Sequence, residues 1–367
     1  MNSRKVTASN SSGKNLRVKI DINELLSYSE HELKSLMKAN DFKEFTGKQI
    51  FKWFHTKGIF DFSQMTDLSL ACRTFLNSIV NNPVSRPILT KKSRDGTIKY
   101  LTKFPDKKMV ETVAIRYKGG YTICVSTQVG CPGKCAHCYS GTIPFQRNLT
   151  AGEIVIQVYN IIRELGDIPN NIVFMGMGEP LLNTKNVLKS IEILADKKGR
   201  AISYRKFTIS TVGIIPQIKK IIDFEHPINM IISLQTADPK RREELLPITK
   251  KYPLARLYQV LFEYNKTARR RISFAVSLIR DFNDRPEDAA LIAKFVQGLT
   301  AHVNLIRLNT FTKALKFKGK NLIPCSDRRI NEFKSWLMKE KVQVSIRVSR
   351  GDEIAAACGM LVKQTTK

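Results

Sequence analysis

Residues 130–139 read GCPGKCAHCY and carry three closely spaced cysteines, Cys131, Cys135 and Cys138. Iron–sulfur clusters are bound by cysteine thiolates, and a four-iron cluster ligated wholly by protein needs four of them. This stretch supplies three, and the next cysteine along the chain is Cys325. A cubane bound by three thiolates leaves one iron open to an outside ligand. The spacing therefore predicts a [4Fe-4S] cluster with an open iron, ligated by these three cysteines.

Two other readings of the cysteines remain open from the spacing alone. A zinc site usually combines two short Cys/His clusters, and the sequence shows no second one. A redox pair made of Cys135 and Cys138 would leave Cys131 without a role. An open iron suits S-adenosylmethionine, whose amino and carboxylate groups can chelate it, so the spacing favours radical chemistry carried by that cofactor. We assign no role to His137.

The chain of 367 residues has a net charge of +29, which predicts a polyanionic partner, RNA first. The alternatives are a generally basic proteome or an anionic membrane surface. Basic residues recur in short clusters such as 240–242, each of which we interpret as a solvated surface.

We find no apolar run of membrane-spanning length and no apolar signal-peptide core in the first twenty residues. An odd number of cysteines without secretory features fits a reducing compartment, so we expect a cytoplasmic protein.

Hydrophobic periodicity divides the chain into five segments. We predict a disordered basic tail over 1–20, an N-terminal helical RNA-binding accessory domain over 21–85 and a β-rich connector over 86–120. From 121 to 349, strands and helices alternate, which implies a parallel sheet with right-handed crossovers. The predicted fold is α/β, a partial (βα)6-type radical SAM barrel with a small N-terminal helical accessory domain, followed by a C-terminal segment over 350–367. The predicted barrel strands are 122–126, 172–175, 206–210, 230–234, 272–279, 303–307 and 342–348, and the helices are 151–165, 185–197, 214–224, 239–246, 256–267, 286–299 and 328–339.

Small and polar residues follow successive strands, where the site of a parallel barrel collects. Glu179 offers a carboxylate to a cation such as the α-amino group of S-adenosylmethionine, and Gly178 allows a close backbone approach. Each such residue can also be a helix cap or a turn residue. Their recurrence at successive strand ends favours a single ligand. The predicted cofactor-binding residues are Gly178, Glu179, Ser210, Ser233, Leu234, Gln235 and Asn309.

From residue 23 to 362 the chain resembles the RlmN/Cfr family of radical S-adenosylmethionine RNA methyltransferases. The matching segments are MVETV at 109–113, CVSTQVGC at 124–131, RNL at 147–149, FMGMGEP at 174–180, ISTVG at 209–213, LPI at 246–248, VNLI at 303–306 and AACG at 356–359. By pattern alone, Cys358 among alanines would be a small buried residue. The resemblance instead implies that Cys358 accepts a methyl group, and that Cys124 later attacks its sulfur and leaves a disulfide. It also implies that Glu111 is an acid/base residue and that two S-adenosylmethionine molecules are used per turnover.

The resemblance leaves the position of methylation open between C2 and C8 of an adenosine. The run 179–181 is more like the RlmN branch, which methylates C2 in 23S rRNA and in some tRNAs, whereas Arg307 is more like the Cfr branch, which methylates C8 and confers antibiotic resistance. We favour C2. The stretches 139–144, 273–278 and 309–312 and the residue Gln235, where the family commonly has His, depart from the pattern and bear on the substrate. A diverged enzyme with another substrate is the remaining alternative. We further expect an electron donor such as flavodoxin or ferredoxin, no membrane partner and a monomer.

Overall fold

The computed structural model describes residues 8–9, 15–16, 19–268, 270–309 and 315–356. The predicted tail therefore lies largely outside the described residues, as does Cys358. The N-terminal region begins with short strands and continues with helices. These elements are β1 (Ala8–Ser9), β2 (Asn15–Leu16), β3 (Ile20–Asp21), α1 (Ile22–Leu25), α2 (Glu30–Lys38), α3 (Phe45–Lys52), α4 (Leu70–Ile79) and β4 (Val80–Asn81).

The accessory region packs on the first barrel helix, α5 (Ala151–Leu165). The Ser27 hydroxyl accepts a hydrogen bond of 2.7 Å from the Gly152 amide, and His55 Nδ1 lies 2.9 Å from the Tyr159 hydroxyl. Burial lowers the pKa of His55 to about 3, so its imidazole is neutral. The aromatic residues of segment 51–54 are buried in this core rather than presented to solvent.

Segment 86–120 forms three antiparallel strands, β5 (Pro87–Lys92), β6 (Ile98–Lys103) and β7 (Met109–Tyr117). β7 pairs antiparallel with β8 (Gly120–Cys124), the first barrel strand. The β-rich segment is thus continuous with the barrel sheet. Because side chains alternate across a strand, this continuity puts residues of β6, β7 and β8 on one shared face.

The remaining elements alternate along the barrel. The strands are β9 (Gln128–Val129), β10 (Arg147–Asn148), β11 (Asn171–Phe174), β12 (Phe207–Thr211), β13 (Asn229–Ser233), β14 (Ile272–Leu278), β15 (Ala301–Arg307), β16 (Lys316–Phe317), β17 (Lys320–Asn321) and β18 (Val344–Arg347). The helices are α6 (Thr184–Ala195), α7 (Ile215–Ile222), α8 (Pro239–Leu245), α9 (Leu254–Ala268), α10 (Pro286–Val296) and α11 (Asp327–Lys339).

The ten-stranded sheet has the order β18-β15-β14-β13-β12-β11-β8-β7-β6-β5. The seven strands at one side of this sheet, β18, β15, β14, β13, β12, β11 and β8, are parallel to one another. The two edge strands of the sheet, β18 and β5, do not pair with each other in the described part of the chain, so the barrel is open. The predicted α/β partial barrel is therefore confirmed. No helix of the described residues has the length and apolar character needed to cross a membrane.

Candidate active site

A pocket opens at the carboxyl ends of the parallel strands and is lined by all three clustered cysteines. It also contains six of the seven predicted cofactor-binding residues. The exception is Leu234, whose side chain is fully buried in the hydrophobic core. The six residues that line the pocket are Gly178, Glu179, Ser210, Ser233, Gln235 and Asn309. Strand register brings together residues that are more than 100 positions apart in the chain.

The cysteine loop is fastened to its surroundings by backbone hydrogen bonds. The Cys131 amide donates to the Ile143 carbonyl over 3.2 Å, and the Ala136 amide donates to the carbonyl of Leu245 on α8 over 3.0 Å. Gly130 has a φ of 74° and lies so close to the Pro144 carbonyl that a Cβ atom would not fit. Burial raises the pKa of Cys131 to about 12 and that of Cys135 well above its usual range. Binding of a metal cluster must therefore displace protons from these thiols.

Glu179 is 5% exposed, and the protein fixes the orientation of its carboxylate. One oxygen accepts the Val212 amide at 3.0 Å, and the other accepts the Leu181 amide at 3.0 Å. Burial raises the pKa of Glu179, while these hydrogen bonds and one with Thr211 oppose that rise. The site thus presents an oriented acceptor to a cationic ligand group.

Gln235, with a φ of 62°, connects two walls of the pocket. Its amide oxygen accepts the Ser277 amide at 2.6 Å, which directs its amide nitrogen to His137 Nε2 at 3.1 Å. Burial lowers the pKa of His137 to about 4, so the ring is neutral. Because a side-chain amide nitrogen only donates, Nε2 accepts and Nδ1 carries the ring proton. His137 Nδ1 is buried and has no hydrogen-bond partner in the described part of the chain, so the pocket wall retains a donor for a ligand.

The buried side chain of Arg242 binds the carboxyl ends of two strands of the pocket, β12 and β13. Its guanidinium donates to the carbonyls of Leu234, Val212 and Ser233 at 3.1, 2.6 and 3.3 Å. The side chain is 1% exposed, and burial lowers its pKa to about 10. Its neighbour Arg241 forms an ion pair with Asp288. The interpretation of 240–242 as a solvated cluster is therefore wrong for Arg242. Backbone carbonyls at the ends of the two strands are buried and need a hydrogen-bond donor, which Arg242 supplies.

The predicted residues Cys124 and Glu111 lie on one face of β6, β7, β8 and β11, together with Lys99, which the sequence analysis did not single out. Lys99 is paired with Val113, Val113 with Cys124, and Cys124 with Val173. Val113, Cys124 and Val173 form a buried apolar cluster with Ala356. Glu111 is two residues from Val113 and therefore on the same face, and it is 2% exposed. Cys124 and Glu111 thus lie beside the segment that leads to Cys358.

The two groups of residues meet at Met175. This residue lines the cysteine pocket and also packs against the cluster that contains Cys124 and Ala356. A second cavity shares Ile306, Asn309 and Arg347 with the pocket and is bordered by Ala356. The cysteine pocket, Cys124 and the described beginning of the C-terminal segment are consequently neighbours in the structure.

Comparison with known proteins agrees with this architecture. Residues 125–292 match the model of the radical SAM superfamily, and residues 23–81 match the model of the ribosomal RNA large subunit methyltransferase N-terminal domain. A crystal structure of a radical SAM methyltransferase from Sphaerobacter thermophilus superposes with a TM-score of 0.87 at 33% identity, covering 93% of this chain and 99% of that one. The fold and the site therefore define a radical SAM enzyme.

Two relatives show which family of radical SAM enzymes the chain belongs to. A probable dual-specificity RNA methyltransferase RlmN from Carboxydothermus hydrogenoformans is 39% identical over 92% of this chain and 97% of its own length. Its counterpart from Thermus thermophilus is 38% identical over 85% of this chain and 87% of its own length. The chain belongs to the RlmN family of radical SAM methyltransferases. The resemblance expected from the sequence is thereby confirmed.

Membership in the superfamily implies a [4Fe-4S] cluster and S-adenosylmethionine, and the pocket fits both. Three thiols line its wall, and Gly133 lies directly beside two of them, since a Cβ atom there would lie 3.4 and 3.5 Å from the sulfurs of Cys131 and Cys135. No three His, Cys, Asp or Glu side chains of the described residues are arranged to hold a single metal ion. The oriented carboxylate of Glu179 and the buried donor of His137 complement a ligand with both cationic and acceptor groups.

Alanine at Cys131, Cys135 or Cys138 is expected to remove the cluster, because each change deletes one of three thiolate ligands. Iron and sulfide content and the visible absorption of the anaerobically reconstituted protein measure this loss. Cys72→Ala and Cys325→Ala are the controls and should retain the full cluster. Both thiols are 1% exposed, and burial raises their pKa to about 11 and about 12. Loss of the cluster in either control would contradict the ligand assignment.

Sequence reasoning missed Lys99 and Arg242. Lys99 lies between the apolar residues Ile98 and Tyr100, and this alternation predicts a solvent-facing lysine, so no local signal singled it out. Arg242 carried no local signal either, because its apparent cluster with Lys240 and Arg241 resembled an exposed surface. The cysteine triplet, by contrast, was recognisable from spacing alone.

Proposed function

We propose that this enzyme methylates C2 of an adenosine in 23S rRNA, and in tRNA as a second substrate, through a methyl group carried on Cys358. One observation carries the proposal. Cys124 packs with Ala356, two residues before Cys358, and Met175 packs against their cluster and also lines the cysteine pocket. The cysteine that carries the methyl group, Cys358, and the cysteine that later releases the product from it, Cys124, must approach each other. This packing brings their chain segments together.

Adenine ring carbons are poor nucleophiles, so direct displacement on a sulfonium methyl group fails at C2. The cluster and two molecules of S-adenosylmethionine per turnover, when bound, supply the methyl group and the radical chemistry that activates it. Cys358 holds the methyl carbon as a thioether and becomes linked through it to the adenine. Glu111 takes the proton from C2 as the general base. The hydrogen atom lost from the methyl group and the electron that the linked ring gives up pass to the bound cofactor and cluster.

Release of the product depends on Cys124. Its thiolate attacks the sulfur of Cys358, so an S–S bond forms as the bond between that sulfur and the adenine-linked carbon breaks. The electron pair passes to that carbon, which takes a proton and becomes the methyl group of the product. Cys358 lies outside the described residues, and the resulting disulfide between Cys124 and Cys358 is part of the proposal.

Charge supports RNA as the substrate. The net charge of +29 favours a polyanion, and the hairpin β16–β17 exposes Lys316, Lys318 and Lys320. This hairpin follows Leu315, which packs with Tyr139, the residue after the third cysteine. The cavity beside Ala356 is bordered by Arg347 and Arg350, which suit the phosphates of a nucleotide. Binding should weaken steeply as the salt concentration rises.

The decisive experiment is mass spectrometry of nucleosides from rRNA and tRNA of a host that lacks its own enzyme of the family, with and without this protein. We expect a gain of 2-methyladenosine. A gain of 8-methyladenosine would replace C2 by C8, and no methyladenosine from a cluster-loaded protein that still cleaves its cofactor would indicate a diverged substrate. A flavodoxin- or ferredoxin-type electron donor and a monomeric state remain predictions.

A further inference from the structure

Lys99 is a buried lysine whose two partners both belong to the proposed machinery. Its side chain is 4% exposed, and its ammonium lies 3.1 Å from a carboxylate oxygen of Glu111. The same ammonium donates to the Ala355 carbonyl over 3.2 Å. A buried ammonium is costly unless it is both paired and hydrogen-bonded, and here one cation satisfies both needs. It thereby connects the candidate base to the segment that carries Cys358.

The turn between β5 and β6 also forms hydrogen bonds with residues 351–353 of the C-terminal segment. The Asp95 carboxylate accepts the Gly351 amide at 2.9 Å, and the Ser93 hydroxyl donates to Glu353 over 2.7 Å. These contacts place the segment on the hairpin to which Lys99 belongs. The hairpin therefore acts as a support for the chain that leads to Cys358.

Ala355 has a backbone conformation that the contacts must maintain. Its φ of 52° is in the left-handed region, which a residue with a Cβ atom rarely adopts. The side chain of Ala355 is fully buried, and its carbonyl is the acceptor of the Lys99 ammonium. Backbone strain that surrounding contacts impose is often found at functional sites. Lys99 stabilises this conformation three residues before Cys358.

We propose that Lys99 is a positioning residue that holds Glu111 and the Cys358 segment in one fixed arrangement, so that the proton of C2 is removed while the adenine is linked to Cys358. This inference rests on the proposed function. The ammonium compensates the carboxylate charge of Glu111 in a buried site and fixes the direction of the segment. Without the Lys99 ammonium, Glu111 would no longer be aligned with C2 of the linked adenine. The covalent protein–RNA intermediate would then persist.

The test compares Lys99→Met, Lys99→Gln and Lys99→Arg in cluster-loaded protein. Lys99→Met should reduce the rate of RNA methylation about 100-fold or more, a typical loss for a misaligned general base. It should leave cofactor affinity unchanged and allow covalent protein–RNA adduct to accumulate even though Cys124 is present. Lys99→Arg, which keeps the cation, should restore turnover to within about tenfold of the original enzyme. Lys99→Gln keeps a donor for Ala355 but not the charge, and it carries the same test if Lys99→Met does not fold.

Two further variants distinguish positioning from general stabilisation. Thr112→Val removes a buried 2.8 Å hydrogen bond to Gln157 from the residue next to Glu111 and should lower the melting temperature without causing adduct to accumulate. Combining Lys99→Met with Glu111→Gln should add little to the effect of Glu111→Gln alone, because the two residues act together. Unchanged turnover in both neutral variants, or slow turnover without adduct and without rescue by arginine, would overturn the inference. If the unaltered enzyme yields no 2-methyladenosine in the same assay, the proposed function fails instead.

Discussion

Replacing Cys358 by alanine is expected to abolish methylation of RNA, lowering it by about three orders of magnitude or more. The side chain is the proposed covalent carrier, and a ring carbon that is not nucleophilic offers no second route to the methyl group. Nucleoside mass spectrometry after reaction with the purified, cluster-loaded variant measures the effect. Intact-protein mass spectrometry should also show the added mass of a methyl group on the original protein and not on the variant.

The matched control for this loss is Cys325→Ala. Cys325 is buried, and its thiol contacts the Asp284 carboxylate at 3.5 Å, away from the pocket lining. This variant should methylate RNA normally. Cleavage of S-adenosylmethionine should persist in Cys358→Ala, because the cluster ligands are intact. Full methylation by Cys358→Ala would exclude the covalent carrier.

Replacing Cys124 by alanine is expected to trap the enzyme as a protein–RNA adduct. The change removes the thiolate that attacks Cys358 but preserves a small apolar side chain between Val113, Val173 and Ala356. The lost packing should destabilise the fold by only about 1 kcal/mol. The variant should therefore load the methyl group, couple to adenine and stop. Denaturing electrophoresis before and after nuclease treatment, followed by mass spectrometry of the linked peptide, detects the adduct.

The double variant Cys124→Ala/Cys358→Ala is the control for the trapped species. It should form no adduct, because the residue that becomes linked to the adenine is missing. Normal turnover by Cys124→Ala, with no RNA attached to the purified protein, would be inconsistent with resolution by this cysteine. The two variants together therefore separate the carrier from the resolving residue.

Local pattern determined most of the secondary structure. Helix α5 occupies the predicted residues, because Thr150 and Glu153 form a reciprocal capping box at its start and Gly166 ends it with a φ of 81°. The parallel strands lie within two residues of their predicted bounds, because buried strands appear as short apolar runs between turn residues. The cysteine triplet could be predicted for a related reason, since a ligand set close together in sequence is visible in the sequence itself.

The sequence by itself determined the alternation of strands and helices, the three clustered cysteines and the family. Tertiary structure decided which residues meet. Leu234 and Gln235 are adjacent in the chain, yet one packs in the core and the other lines the pocket, because successive residues at a strand end face opposite sides. Lys99 meets Glu111 only through the register of β6 with β7, and it meets Ala355 only because the C-terminal segment returns to that hairpin. Contacts between distant segments depend on strand register and packing, which no local pattern specifies.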